Sequence, residues 1–521
     1  MEWRGKMEQR KKVEQSSVKM EPVSVRTTDD RICIYWDMPE FFMEGDCYRI
    51  FLDGKMTGQT DRTHWAFEDL PSETSFDARV EWMRGETVLV SQTLSVETKK
   101  IKKILDISKA PYFAVGDGRT MNTEAIQGAI DDCTEEECVY IPEGIFLTGA
   151  LTLHSDMEIY LAEGAVLQGT DRVEDYLPKI PSRFEGQEMM CYSSLLNMGS
   201  LDHASGPNCE NIVIRGRGTI AGGGRVLAER VIALETENLK DYLESLGEKI
   251  LECEKPETIP GRFRPRLINI SNCRNIYISG ITIKDGASWN VHMIYSDNIV
   301  TENCIFRSKG VWNGDGWDPD SSENCTIFGC TFYTGDDGIA IKSGKNPEGN
   351  VIGRPSLHIR IFDCKSESGH GITIGSEMSG GVEDVMIWDC DMTRSRCGIE
   401  IKGTKKRGGY VRNIVVRNCR TPRILMHSVP YNDDGIGAGV QPVFENCRFS
   451  GIQITGEYIG DEDALILCNP VELSGFDEPG HELRNIVFED LTLGKKENVR
   501  KQNISLEYCG NVSFVNVRTA R

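Results

Sequence analysis

A chain of 521 residues has material for more than one domain and for a large core. It is 39% hydrophobic and 27% charged, the balance of a soluble protein, and its formal net charge of −21 excludes nucleic acid and anionic membrane as natural partners. No apolar run approaches the length that spans a bilayer.

Residues 1–19 are polar, rich in Lys, Glu and Gln, and hold no apolar core of the kind a secretory signal requires. A flexible N-terminus and a cytoplasmic location are therefore expected. Residues 20–98 have an all-β texture, with predicted strands at Ile32–Trp36, Tyr48–Leu52 and Phe76–Val80 and a turn at Asp53-Gly54. Residues 99–110, with Lys99-Lys100 and Lys102-Lys103, read as a linker. In the remaining stretch, 111–521, the apolar residues Ile126, Ala129 and Ile130 have helical spacing, and Asn122 or Thr123 can cap that helix. Short strands follow at Leu151-Thr-Leu, Glu158-Ile-Tyr-Leu and Asn211-Ile-Val-Ile. The segment 224–260 interrupts them with the apolar spacing of an amphipathic helical insertion, expected to wall one end of a cleft.

From Arg266 a repeat sets in. Asn275-Ile-Tyr-Ile, Asn298-Ile-Val-Thr, Asn324-Cys-Thr-Ile, Asn413-Ile-Val-Val, Asn485-Ile-Val-Phe and Asn511-Val-Ser-Phe each put an Asn before alternating β-branched residues. A recurrence every roughly 22–34 residues is that of a solenoid built from short strands and turns. Many of the 18 cysteines share this context, as in Asn303-Cys304, Asn324-Cys325, Asn418-Cys419 and Asn446-Cys447. They fit small, buried, reduced thiols, and no CxxC pair of zinc spacing occurs.

The chemistry concentrates between Asn313 and Gly344. Asp315 precedes the doublet Asp336-Asp337 by 21 residues, about one coil. Adjacent strands lie about 4.8 Å apart, so Asp315 is expected to stack beside both members of the doublet. Carboxylates that close repel, and one is left as a proton donor beside ionised neighbours, the arrangement glycosidic cleavage requires. His370, between two glycines, and Lys402 follow at coil-like spacings, which places the set on one face over roughly 15 Å. Two other classes remain open. Asp315, Asp318 and Asp320 could mimic the calcium cluster of a β-helix polysaccharide lyase, and a non-catalytic carbohydrate-binding solenoid would need no carboxylate triad.

Four motifs carry a resemblance: Asn313-Gly314-Asp315, Gly335-Asp336-Asp337, Gly369-His370-Gly371 and Glu400-Ile401-Lys402. In order and spacing they resemble the signatures of glycoside hydrolase family 28, the polygalacturonases, which read Asn-Thr-Asp, Gly/Gln-Asp-Asp, Gly-His-Gly and Arg-Ile-Lys. Gly stands for Thr at 314 and Glu for Arg at 400. The resemblance runs from about Pro111 to the C-terminus and implies an all-β fold, a right-handed parallel β-helix of the pectin lyase-like kind, with residues 123–146 as its N-terminal cap. Residues 20–98 are similar to a fibronectin type III module, a small β-sandwich, with Trp36 in its core and Phe76 near the corner where a Tyr is usual.

By the same resemblance the protein would be an inverting, exo-acting hydrolase. It would release galacturonic acid from the ends of pectic oligosaccharides, with no cofactor and no metal. Asp336 would be the general acid, and Asp315 and Asp337 would orient and deprotonate water, with acid and base roughly 6.5–9.5 Å apart. His370 would tune the carboxylates or touch the sugar, Asn313 would hold Asp315 or the sugar, and Lys402 would pair with a galacturonate carboxylate. Where the family's Arg contacts a uronate carboxylate near the leaving-group side, Glu400 would repel it. One explanation is a substitute cation among Arg394, Arg396, Lys405, Lys406 and Arg407. A second turns Glu400 into a salt bridge. The third is a neutral leaving sugar, as in rhamnogalacturonan. Arg183-Phe-Glu-Gly186 resembles a motif of bacterial members and receives no role.

Overall fold

The computed structural model describes residues 19–253, 255–429, 435–460, 464–495 and 503–520. The polar N-terminal stretch, all but its last residue, lies outside them. The chain divides into two compact units, Met1–Lys103 and Ile104–Arg521.

The first unit holds two antiparallel sheets. One contains Ser24–Thr27, Ile32–Tyr35 and His64–Phe67; the other has the order Lys55–Thr60, Asp46–Leu52, Ser75–Arg84, Thr87–Glu97. Period-two alternation along Ser75–Arg84 buries Phe76, Ala78, Val80 and Trp82. Trp36 meets Tyr48 edge-on with ring centroids 4.9 Å apart, closing the core.

The second unit is a parallel β-helix. Three long sheets, of 13, 11 and 8 strands, run along it, and the last continues through the bridged residue Asp391 into a further four-stranded sheet. The recurrent Asn marks one turn. Asn211, Asn275, Asn298, Asn324, Asn413, Asn446, Asn485 and Asn511 all have φ between 53° and 60°, a left-handed conformation that Asn tolerates better than β-branched residues. Their amides also tie coil to coil: Asn275 donates to Asn211 (3.0 Å), Asn298 to Asn275 (2.6 Å) and Asn511 to Asn485 (2.7 Å). Inside, identical positions stack. The ring centroids of Phe328, Phe362 and Trp388 are successively 4.8 and 4.4 Å apart, and Cys304, Cys330, Cys364, Cys390 and Cys419 form a column of neighbouring thiols. All 18 cysteines are free.

Helix Thr123–Asp131 covers the first coil with Ile126, Ala129 and Ile130. Its expected cap differs in detail. Asn122 makes no capping bond because its side chain instead holds Val115 and Thr120. The segment read as a linker contains a strand, Lys103–Asp106, at the edge of the 13-stranded sheet. At the opposite end the last strand of the 11-stranded sheet, Ile504–Glu507, is exposed throughout. The insertion forms helices Gly224–Asn238 and Lys240–Leu246 and a turn at Thr258–Gly261. It is pinned by the buried Glu235, which accepts from Lys179 Nζ (2.9 Å) and the Tyr192 hydroxyl (2.8 Å).

Candidate active site

The site lies on the outward face of the 11-stranded sheet and at the corner that precedes it. Strand Trp317–Asp320 pairs Trp317 with Ile339; Ile339 pairs with Ile372, and Gly371 with Gly398. This register aligns Asp315, Asp337, His370 and Cys397 in successive coils. Gly316 N–H donates to the Asp337 carbonyl (3.0 Å) and Cys397 N–H to the His370 carbonyl (3.0 Å). Asp337 is thus the register partner of Asp315, while Asp336, one residue earlier, stands further out. The side chains of Asp315 and Asp337 are buried and that of Asp336 is a quarter exposed. The glycines flanking His370 are required by close approach: a Cβ at Gly369 would lie 2.2 Å from the Asp336 carbonyl, and one at Gly371 2.2 Å from that of Gly398.

His370 joins the doublet. Its Nδ1 lies 3.0 Å from Asp336 Oδ1 and 3.3 Å from Asp337 Oδ1. Burial alone would lower the imidazole, but the two carboxylates outweigh it and raise it to about 11. Thr373 donates to Asp337 Oδ1 (2.7 Å). Burial pushes Asp337 up, yet Lys402 and His370 hold it below the ordinary carboxylate range. Asp315 goes the other way: burial and the charge of Asp336 raise it well above that range, against the pull of Lys342. The carboxylate oxygens of Asp336 and Asp337 that face His370 lie within 4.8 Å of each other. These two oxygens lie closer than the roughly 6.5–9.5 Å expected between acid and base, because their residues are sequence neighbours gripped by one imidazole.

A buried ammonium takes the place where a calcium ion was considered. Lys342 Nζ is 3.4 Å from Asp315, 3.9 Å from Asp318 and 3.5 Å from Glu377, and lies 4.3 Å from the Trp289 ring centroid. Asp320 is paired with Arg183 at 2.9 Å, both side chains fully buried. Arg183 therefore answers Asp320, whereas burial outweighs the nearby Lys342 at Asp315 and Asp318 and raises both.

The other sequence candidates are placed less uniformly. Asn313, with φ of 51°, accepts from Arg264 (2.6 Å), whose buried guanidinium lies over Trp312 and is pulled down by burial to about 9. Glu400 is turned into a salt bridge, with Lys402 Nζ at 3.1 Å and His427 Nε2 at 2.7 Å. Burial would raise Glu400, but these partners hold it at about 2. Arg407 does not supply the substitute cation. It is buried, donating Nε–H to the Ser376 carbonyl and NH1 to Asn346, each at 2.8 Å, so it braces the backbone there. Arg394 is paired with Glu367 and Lys405 with Asp477.

Arg183-Phe-Glu-Gly186 now has a place. Strands Ile180–Phe184 and Gln187–Cys191 form an antiparallel hairpin. Arg183 anchors it on Asp320 and Ser321, Phe184 stacks on Trp289 (4.7 Å), and Lys345 N–H donates to the Gly186 carbonyl (2.9 Å). Lys342, Thr373, Arg423 and His427 were missed from sequence. Each occupies an outward position of its strand or the residue just before or after it, a signal readable only once coil register is known. A cleft of about 1050 Å³ bounded by Tyr112, Glu124, Asp131 and Asp175 contains none of these residues.

With this geometry in hand, comparison with known proteins is informative. Residues 178–430 match glycosyl hydrolases family 28. An exo-poly-alpha-D-galacturonosidase of Dickeya chrysanthemi is 25% identical over 557 residues, covering 97% of this chain and 91% of that protein. A probable polygalacturonase of Vitis vinifera is 33% identical over 60% of this chain and 59% of its own length. The Yersinia enterocolitica family 28 exopolygalacturonase superposes with a TM-score of 0.79 over 96% of each chain at 21% identity, a likeness of fold. The hyperthermoactive exopolygalacturonase of Thermotoga maritima superposes with a TM-score of 0.62 at 27% identity, covering 80% of this chain and 91% of that one. The chain is a glycoside hydrolase, similar over residues 178–430 to glycosyl hydrolases family 28.

Proposed function

We propose that the protein is an exo-acting galacturonidase that releases galacturonic acid from the ends of pectic oligosaccharides with inversion at the anomeric carbon. The observation that carries this reading is the corner where Asp315, Asp336, Asp337 and His370 converge, in a chain similar over 97% of its length to an exo-poly-alpha-D-galacturonosidase. Asp336 has the most exposed carboxylate of the three and protonates the glycosidic oxygen. Water is held between Asp315 and Asp337, and Asp337, kept ionised by Lys402 and His370, accepts its proton as oxygen bonds to the anomeric carbon. The net result is one water added across one glycosidic bond. His370, in contact with both members of the doublet, is placed to return the proton from Asp337 to Asp336. Lys402 faces the uronate carboxylate and gives the acidic chain a local cation for an anionic substrate. The three- and four-stranded antiparallel sheets of the N-terminal unit support reading it as a fibronectin type III-like spacer or packing module.

The test is a product analysis with digalacturonate, longer oligogalacturonides and rhamnogalacturonan oligosaccharides, with and without a chelator. Free galacturonate from the first time points on the homogalacturonan ladder, unaffected by chelation, is expected. Unsaturated products that disappear on chelation would overturn the reading.

A further inference from the structure

One buried ammonium faces three carboxylates: Lys342 Nζ lies 3.4 Å from Asp315, 3.9 Å from Asp318 and 3.5 Å from Glu377. An ammonium has three N–H donors, whereas each carboxylate presents about four acceptor positions. Even with a proton on each of Asp315 and Asp318, acceptors outnumber donors around Lys342. The surplus is visible in the side chains. Asp315 Oδ1, both oxygens of Asp318 and Glu377 Oε2 are buried and accept no hydrogen bond among the described residues. Buried acceptors need donors. Asp315 and Asp318 are shut in, with side chains 3% and 0% exposed. Glu377, at 13%, is the one a ligand can reach.

The backbone around Glu377 is tied down. The residue follows strand Gly371–Ile374, in the coil that carries His370 and Thr373. Its carbonyl accepts from Ser343 N–H (2.7 Å), Gly380 N–H donates to the Ser343 carbonyl (2.7 Å), and Ser379 N–H donates to that of Gly344 (3.0 Å). These bonds sew the turn after Thr373 to the turn after Lys342. Arg407 holds the preceding residue by donating Nε–H to the Ser376 carbonyl (2.8 Å). Glu377 is thus a carboxylate presented from a fixed turn, with one oxygen left unengaged beside the catalytic corner.

We propose that Glu377 accepts a hydrogen bond from a ring hydroxyl of the galacturonate being released, and so helps to select the sugar in that position. This rests on the galacturonidase reading above. Asp315 and Glu377 meet the same ammonium, so both fall within the span of one sugar ring whose anomeric carbon lies at Asp315 and Asp337. Hydroxyls are the donors such a ring offers, and a hydroxyl bonded to a carboxylate makes a charge-assisted hydrogen bond. Lys342, between Glu377 and Asp315, offsets the repulsion that a uronate would otherwise meet there.

The experiment is a cycle between enzyme and substrate. The unsubstituted enzyme, Glu377→Gln and Glu377→Ala are compared on digalacturonate and on its three analogues lacking the 2-, 3- or 4-hydroxyl of the glycosyl unit. Glu377→Ala should lower kcat/KM for digalacturonate by roughly 10- to 100-fold. On one deoxy analogue the same substitution should cost less than about 2-fold, because the partner hydroxyl is already gone. Glu377→Gln, which keeps an acceptor oxygen without the charge, should fall between. Tm reports the folding of each variant, and either variant alone completes the cycle. An equal loss on all four substrates, as from a residue that only holds Lys342, or no loss on digalacturonate, would overturn the assignment. If the unsubstituted enzyme releases galacturonate from neither digalacturonate nor longer oligogalacturonides, the galacturonidase reading fails and this inference with it. If it cleaves them and the cycle shows no coupling, only the inference fails.

Discussion

Asp336, Asp337 and His370 show how a few ångströms of register decide the chemistry. The doublet alone would be two repelling carboxylates; the imidazole one coil away compensates both at 3.0 and 3.3 Å. Because Asp336 is assigned proton delivery, Asp336→Asn should lower kcat for galacturonate release by roughly 10²- to 10⁴-fold with KM little affected, read by reducing-sugar assay under saturating oligogalacturonide. The first-formed anomer, followed by proton NMR, should be inverted; a retained anomer would remove Asp315 and Asp337 from the water-activating role. His370 also ties stability to pH. Its folded value of about 11 lies above the ordinary value near 6.5. Its contribution is therefore full below about pH 6.5, weakens above it and is lost as pH passes about 11. The Tm difference between the unsubstituted chain and His370→Asn should be largest near about pH 6 and shrink towards about pH 10. Sequence motifs located these side chains because they fall within a few residues of glycine turns. Lys342, Thr373 and Arg423 escaped because nothing local distinguishes an outward strand position from any other polar residue.

Among the elements, the hairpin Ile180–Cys191 is the one whose meaning depended on contacts distant in sequence. Arg183 reaches 137 positions along the chain to Asp320, and both side chains are shut off from solvent. Removing one partner strands a charge in the interior. Arg183→Met should therefore destabilise the chain by about 3–5 kcal/mol in chemical denaturation, and a paired Arg183→Met/Asp320→Leu chain should regain much of that loss. The strands themselves were legible, since Asn turns and alternating β-branched residues announce them. Their alignment was not. The aligned positions Trp317, Ile339, Ile372, Ile399, Ile424 and Val471 are separated by 22, 33, 27, 25 and 47 residues, since the turns absorb extra length while each strand returns to the same place. Variable turns hide the period that fixes the ladder.

At the scale of the whole molecule, stacking replaces crosslinking. The column from Cys304 to Cys419 fills one position inside consecutive coils, and at another inward position burial raises the Cys325 and Cys447 thiols, the latter to about 12. Such thiols are poor nucleophiles. Thiol titration of the native protein should find few reactive groups and should count all 18 after denaturation, and a reductant should leave Tm unchanged. The chain divides into two compact units, and each closes a hydrophobic core of its own.

The bare final coil has its own consequence. Among the described residues no strand pairs with the outer edge of Ile504–Glu507, and Leu506 and Val515 stand half exposed, so opening there costs the least. A rope held at one end frays from the other. Hydrogen exchange should run fastest through Ile504–Glu507 and slow strand by strand inward, with Val471–Ser474 standing as a sacrificial layer between that fraying end and the coil of Arg423 and His427. The enzyme can lose its last turn to wear while its groove keeps its shape.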